Sequence, residues 1–146
     1  MRVEDIDAVL TIEEQAFPTP WSRRAFYTEI TENNLAHYVV VELDGTVVGY
    51  SGMWVILDEA HMTNIAVHPL YRRMGIGSLL LQEMMNRARN LGASRMTLEV
   101  RVSNAPAQRL YERFGFVKRG LRRKYYTDTQ EDAIIMWRDD LRGKNL

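Results

Sequence analysis

The apolar residues of the first thirty positions follow helical spacing that is interrupted once. They recur at helical intervals from Ile6 onward, which predicts a helix over residues 4–15. The proline-containing segment 17–21 ends this helix, because the residue before a proline disfavours helical backbone. Ser22 then stands where its hydroxyl could cap a second helix over residues 22–31.

The middle of the chain changes to strand-like patterns. We predict strands over residues 37–42, 46–57 and 60–67. Asp44-Gly45 joins the first two strands as a hairpin turn, a role that this residue pair favours. Gly49 and Gly52 lie inside the second strand, where isolated glycines suggest β-bulges.

The second half of the chain begins with the strongest helical pattern. Its apolar stripe is carried by Ile76, Leu79, Leu80, Met84, Ala88 and Leu91, and Gly92 suits the position just after a helix end. We then predict a strand over 95–102, a short helix over 105–114 and final strands over 116–126 and 132–137. The order ααβββαβαββ predicts an α/β (α+β) fold with a single mixed, mostly antiparallel sheet flanked by helices, in a single domain over residues 1–146. The strand–helix–strand unit over 60–102 should be a parallel crossover.

Composition narrows the classes of function. Lys+Arg and Asp+Glu both number 19, so no net charge draws the protein to nucleic acid. The absence of cysteine excludes disulfides and a cysteine nucleophile. No apolar run reaches membrane-spanning length, and His37, His61 and His68 lack the spacing of metal ligands. We therefore expect a cytoplasmic protein without a metal site or a membrane anchor.

The segment 64–78 carries the clearest chemical signal. A strand ending Ile65-Ala66-Val67 runs into a loop with two arginines and two glycines, and the loop opens the long helix. The first N–H groups of a helix lack partners and attract anions. The segment therefore predicts a pyrophosphate site, whereas the alternative is a capped helix whose arginines point to solvent.

Two common nucleotide motifs do not fit this segment. No Gly-Lys-Ser/Thr follows the loop, and Leu80 stands where a dinucleotide fingerprint needs its third glycine. What remains is Arg-x-x-Gly-x-Gly at 72–77, which resembles the acetyl-CoA motif of the Gcn5-related N-acetyltransferases. The resemblance implies the acyl-CoA N-acyltransferase fold and acetyl-CoA as co-substrate. It also implies that the cofactor is held by Ile65, Ala66, Val67, Arg72, Arg73, Met74, Gly75, Ile76, Gly77, Ser78 and Asn104.

The resemblance covers essentially the whole chain and is narrowed by residues 98–136. These resemble the ribosomal-protein-alanine N-acetyltransferases (RimI type), which implies acetylation of the N-terminal alanine of a small-subunit ribosomal protein. Without a cysteine to carry the acetyl group, transfer should be direct. Three alternatives stay open: a broader protein N-terminal acceptor, a small-amine acceptor, and a CoA-binding module without catalysis. We expect a monomer.

Glu99 and Tyr111 are the candidate catalytic residues. Glu99 interrupts an apolar strand, where burial of a carboxylate is costly without a partner. The resemblance implies that it is the general base for the substrate amine and that Tyr111 protonates the departing thiolate. The alternatives are a salt bridge from Glu99 to a neighbour such as Arg101, or a solvent-facing position, and a core role for Tyr111. Asn104 has the alternative role of helix N-cap.

Three aromatic residues are candidates for the acceptor site. By resemblance, Tyr125 and Tyr126 could line the entrance for the peptide, and Trp21 could wall the acceptor channel. Each has a packing role as its alternative.

Overall fold

The helices and strands follow the predicted order over residues 1–142, which the computed structural model describes. The helices are α1 (Ile6–Ala16), α2 (Arg23–Glu32), α3 (Ile76–Asn90) and α4 (Ala105–Arg113). The strands are β1 (Ala36–Leu43), β2 (Thr46–Ile56), β3 (Glu59–Val67), β4 (Arg95–Arg101), β5 (Val117–Tyr126) and β6 (Glu131–Arg138). Short 3-10 helices cover Val3–Asp5 and Pro69–Tyr71. No helix of the described chain is long and apolar enough to cross a membrane.

The strands form one mixed sheet in the order β1-β2-β3-β4-β6-β5. β1 pairs antiparallel with β2, and β6 pairs antiparallel with both β4 and β5. β3 and β4 pair in parallel, with Glu59, Ala60 and His61 opposite Arg95, Met96 and Thr97. The predicted mixed, mostly antiparallel sheet and its parallel unit are confirmed.

The chain divides into two compact units. The first comprises residues 1–54 and 63–84, and the second comprises residues 55–62 and the described residues from 85 onward. The single domain over 1–146 stays a prediction, and residues 143–146 lie outside the described part of the chain.

The core of the first unit forms around one phenylalanine. The ring of Phe26 meets the rings of Tyr38 and Tyr50 edge-on, with centroid distances of 6.4 and 5.8 Å. α1 contributes its apolar stripe to the same core, which comprises Ile6, Val9, Ile12, Phe26, Tyr38, Tyr50 and Ala66. The predicted cap is also present, since the hydroxyl of Ser22 accepts a hydrogen bond from the backbone N–H of Ala25 at 3.1 Å.

The two glycines of β2 have different roles from the predicted bulges. The register with β1 shifts so that Val48 has no opposite residue, which places the bulge next to Gly49 rather than on it. Gly52 sits in regular register opposite Tyr38, so the bulge predicted at Gly52 is wrong. A Cβ there would stand 2.1 Å from the Tyr38 ring, and this close approach is the reason for the glycine.

The second unit buries β4 and β6 against helical residues. Its buried apolar side chains are Ala60, Met62, Met85, Ala88, Ala93, Met96, Leu98, Val100, Tyr111, Phe116, Ala133, Met136 and Leu141. Successive side chains of a strand point to opposite faces, so Thr97, Glu99 and Arg101 share the other face of β4. This polar face carries most of the ionisable side chains described next.

Candidate active site

The chain around the loop before α3 meets β2 at two points. The backbone N–H of His68 donates to the carbonyl of Val48 at 2.8 Å, so the carbonyl of the bulge residue holds the chain as it leaves β3. A Cβ on Gly49 would come within 3.0 to 3.2 Å of Ile76, Leu80 and the carbonyl of Ala66. The glycine therefore lets the first turns of α3 approach β2 closely.

The loop itself presents backbone donors and cations outward. Arg73 and Gly75 have φ of 66° and 77°, a conformation that glycine adopts without the cost that a Cβ brings. The carbonyl of Gly75 accepts the N–H of Leu79 at 3.0 Å, which starts the hydrogen-bond ladder of α3. The N–H groups of the preceding turn have no carbonyl within the helix to bind. With Arg72 and Arg73 exposed beside them, these groups fit an anion such as a pyrophosphate.

Glu99 lies in the second unit and is held from two sides. Its side chain is only 10% exposed, so the alternative of a solvent-facing position is wrong. Its Oε2 lies 2.6 Å from Nε2 of His61 on β3, and its Oε1 lies 3.9 Å from Nε of Arg122 on β5. The alternative of a salt bridge to a sheet neighbour is therefore present, with His61 and Arg122 as the partners, whereas Arg101, the neighbour named for it, binds Asp128 instead.

His61 is the residue at this position that sequence reasoning missed. The parallel register sets it opposite Thr97, two residues before Glu99 and therefore on the same face of the sheet. The two residues are 38 positions apart in the chain. The one signal in the sequence is a polar residue within the predicted strand 60–67, and this signal does not identify its partner.

Tyr125 and Tyr126 stand at the end of β5, close enough to Glu99 for its charge to act on them. Their rings meet edge-on at 5.1 Å. Burial raises the pKa of Tyr125, with a further contribution from Glu99 and an opposing one from Arg122. Burial raises the pKa of Tyr126 to about 12, against the opposing charge of Arg101. Both phenols are therefore neutral hydrogen-bonding groups at physiological pH.

An ion network fixes the side chain of Tyr126. The Arg101 guanidinium lies 4.0 Å from the centre of the Tyr126 ring, in a cation–π contact. The same guanidinium donates to Asp128 at 2.8 Å and to Glu131 at 3.4 Å. Glu131 also accepts the backbone N–H of Ser103 at 2.8 Å. This network could not be predicted from the sequence, because its members come from β4, the end of β5, the β5–β6 turn and β6.

Tyr111 lies on α4, which two side chains hold at the end of β4. Asn104 caps the helix by accepting the N–H of Ala107 at 3.2 Å, which confirms the predicted cap. Gln108, which sequence reasoning also missed, donates to the carbonyls of Arg101 and Val102 at 3.0 Å.

The surroundings of Tyr111 hold its phenol neutral. Its ring lies 5.9 Å from that of Phe116 and is 5% exposed. Burial raises the pKa of Tyr111 well above its usual range, with a smaller contribution from Tyr126. The phenol therefore stays protonated, as a proton donor must, although it is a weaker acid than an exposed tyrosine.

Trp21 follows α1 in the first unit and is tied to a buried carboxylate. Its backbone N–H donates to Oε2 of Glu13 at 2.8 Å, and its ring packs on the ring of Phe26 with a centroid distance of 5.2 Å. Glu13 also accepts the hydroxyl of Tyr50, and burial raises the pKa of Glu13. These contacts support the packing role of Trp21, while contact with an acceptor stays a prediction.

The predicted site residues thus divide between the two units. The first holds Trp21, residues 65–67 and residues 72–78. The second holds Glu99, Asn104, Tyr111, Tyr125 and Tyr126. Within the second unit the structure brings Glu99 and the two tyrosines of β5 into one electrostatic group.

Comparison with known proteins gives consistent matches. The Acetyltransferase (GNAT) family matches residues 6–116. A Bacillus subtilis protein, named as a candidate [ribosomal protein bS18]-alanine N-acetyltransferase, is 49% identical over 94% of this chain and 91% of its own. The Escherichia coli K12 protein named [ribosomal protein bS18]-alanine N-acetyltransferase is 39% identical over 93% of this chain and 92% of its own.

A solved structure agrees with these relatives. The crystal structure of the ribosomal-protein-S18-alanine N-acetyltransferase from Escherichia coli matches with a TM-score of 0.87 and 37% identity, over 100% of this chain and 95% of that one. The acyl-CoA N-acyltransferase fold and the resemblance to the ribosomal-protein-alanine enzymes are confirmed, and the GNAT family uses acetyl-CoA. The chain belongs to the Acetyltransferase (GNAT) family and is an N-acetyltransferase.

Proposed function

We propose that this enzyme transfers the acetyl group of acetyl-CoA to the α-amine of the N-terminal alanine of a small-subunit ribosomal protein, bS18. The names of two relatives, 49% and 39% identical over nearly their whole length, support this acceptor. The observation that carries the chemistry is the Glu99 carboxylate, which is 10% exposed and is grouped with neutral phenols. A ribosomal acceptor is also consistent with the expectation that the protein is a cytoplasmic monomer.

The cofactor is assigned to the loop before α3 and its neighbours. Arg72, Arg73 and the first N–H groups of α3 would hold the pyrophosphate, and Met74 to Ser78 supply the backbone of that cradle. Ile65, Ala66 and Val67 would bind the pantetheine amides, and Asn104 would contact the cofactor besides capping α4. When bound, acetyl-CoA supplies the thioester that the amine attacks.

Glu99 is proposed to accept the proton of the attacking amine. An α-amine has a pKa of about 7.8, so roughly one-seventh is already neutral at pH 7, and a modest base is enough to deprotonate the rest. Glu99 suits this role by position, because its carboxylate is held by His61 and lies close enough to Tyr125 for its charge to act on that phenol. Tyr111, held protonated by burial, would supply the proton for the thiolate.

The acceptor peptide is assigned to the aromatic side chains. Tyr125 is 45% exposed beside Glu99, so its ring is available to the first residues of a peptide. Tyr126, fixed by Arg101, would form the floor of the same surface. Trp21, in the first unit, is proposed separately as a residue that contacts the acceptor.

Steady-state kinetics with a blocked acceptor tests the proposal. CoA release is measured with an Ala-starting peptide and with the same peptide carrying an acetylated α-amine, for the parent enzyme and for Glu99→Gln. We expect release only with the free α-amine, and a loss of about 10²–10⁴-fold in kcat for the variant at pH 7. Equal release with the blocked peptide, or an unchanged kcat for Glu99→Gln, would contradict the proposal.

A further inference from the structure

Glu99 and His61 form the closest side-chain contact of the candidate site. Nε2 of His61 lies 2.6 Å from Oε2 of Glu99, a distance typical of a hydrogen bond to a charged group. Both residues lie on the same face of neighbouring strands, so the sheet itself fixes their separation. A contact built on strands is more precisely held than one built on loops.

The contact distinguishes the two oxygens of the carboxylate. Oε2 is engaged by His61, whereas the nearest cation to Oε1 is Nε of Arg122 at 3.9 Å, beyond hydrogen-bond distance. The other groups that act on this carboxylate are Tyr125 and Tyr126, whose phenols are neutral. Oε1 is therefore the oxygen left to accept a proton from a substrate.

We propose that His61 is a positioning residue for catalysis, which donates its Nε2–H to Oε2 of Glu99 and so directs Oε1 at the acceptor amine. The inference rests on the proposed role of Glu99 as general base. His61 does not itself take the amine proton. It restricts the carboxylate to one rotamer, and a catalytic group misplaced by about 1 Å can lose on the order of 10²-fold in rate.

The test compares His61→Ala, His61→Gln, Glu99→Gln and the double variant His61→Ala/Glu99→Gln. His61→Ala should lower kcat about 10–10²-fold with the KM for acetyl-CoA unchanged, because the loss falls on the chemical step. His61→Gln keeps an N–H donor and should recover at least half of that loss on a logarithmic scale. His37→Ala, which removes a strand histidine from β1, should leave kcat unchanged.

The double variant separates this inference from the proposed function. If His61 acts through Glu99, the double variant should be as slow as Glu99→Gln alone, within about twofold. Losses that multiply would overturn the positioning role while leaving Glu99 as the base. An unchanged kcat for Glu99→Gln would instead refute the proposed function. A loss in His61→Gln equal to that in His61→Ala, or a matching loss in His37→Ala, would also overturn the inference.

Discussion

Replacement of Glu99 by glutamine should make acetyl transfer depend on the acceptor's own loss of a proton. The amide keeps the size of the side chain and can still bind His61, but it cannot accept a proton from the amine. At pH 7 we expect kcat to fall by about 10²–10⁴-fold, the usual contribution of a general base. As pH rises, solvent deprotonates the amine and part of the loss should return.

The size of that recovery identifies the amine. With a pKa of about 7.8, the neutral fraction of an α-amine rises from roughly one-seventh at pH 7 to over nine-tenths at pH 9, a gain of about sevenfold. A lysine ε-amine, with a pKa of about 10.4, gains roughly 100-fold over the same interval. Burial holds the pKa of Tyr126 at about 12 and raises that of Tyr125, so neither phenol titrates in this window.

The assay is the pH dependence of single-turnover acetyl transfer for the parent, Glu99→Gln and Tyr111→Phe. Glu99→Gln should recover about sevenfold between pH 7 and pH 9. Tyr111→Phe should be slow without this alkaline recovery, because its defect lies in the leaving thiolate. Parallel profiles for all three proteins would refute the assigned roles, and a recovery near 100-fold would refute the α-amine as acceptor.

Three further substitutions test the cofactor loop and the fold. Gly75→Val places a β-branched residue at φ of 77°, and about 1–2 kcal/mol of strain should weaken acetyl-CoA about tenfold in calorimetric titration. Glu13→Gln should raise the melting temperature at pH 7, because the raised pKa of Glu13 makes its charged form costly. The difference in melting temperature between this variant and the parent should shrink as pH falls toward about 4.5, the ordinary pKa of a glutamate, since the folded parent gains stability when Glu13 binds a proton. Gly52→Ala forces a Cβ to within 2.1 Å of the Tyr38 ring, which should cost about 1–3 kcal/mol and lower the melting temperature by about 2–12 °C.

Each of these substitutions has a control or a contrary outcome. Gly45→Val carries the same kind of strain, at φ of 80°, in the β1–β2 turn, and should leave the affinity for acetyl-CoA unchanged. Gly120→Ala meets only an ordinary contact at 3.4 Å and should cost much less than Gly52→Ala. Equal affinity for the two valine variants, or a melting-temperature gap for Glu13→Gln that widens at low pH, would contradict the corresponding explanation.

The features that the sequence could predict are those that depend on neighbouring residues. The caps at Ser22 and Asn104 bind N–H groups three residues ahead, as their residue types indicate. The Asp44-Gly45 turn has positive φ at both residues, which this pair tolerates. Local chemistry decides these features, so a single sequence contains the information.

The features that could not be predicted depend on the register between distant strands. The partner of Glu99, His61, is set by the pairing of β3 with β4. The sequence around Glu99 is equally consistent with a salt bridge to Arg101 on the same strand. Position 52 needs a glycine because the Tyr38 ring on the paired strand leaves no room for a Cβ, and not because the strand is irregular there. Tertiary contacts of this kind leave no spacing signal in the chain.

The most direct test of the central claim is the location of the acetyl group on an acceptor that offers both kinds of amine. A peptide that starts with alanine and contains one internal lysine is incubated with the enzyme and acetyl-CoA, and tandem mass spectrometry locates the label. The account predicts acetylation of the N-terminal alanine, because α-amines and lysines differ by about 2.5 pKa units and a modest base favours the former near neutrality. Label mainly on the lysine would contradict N-terminal acetylation, and label on neither amine would point to a small-amine acceptor.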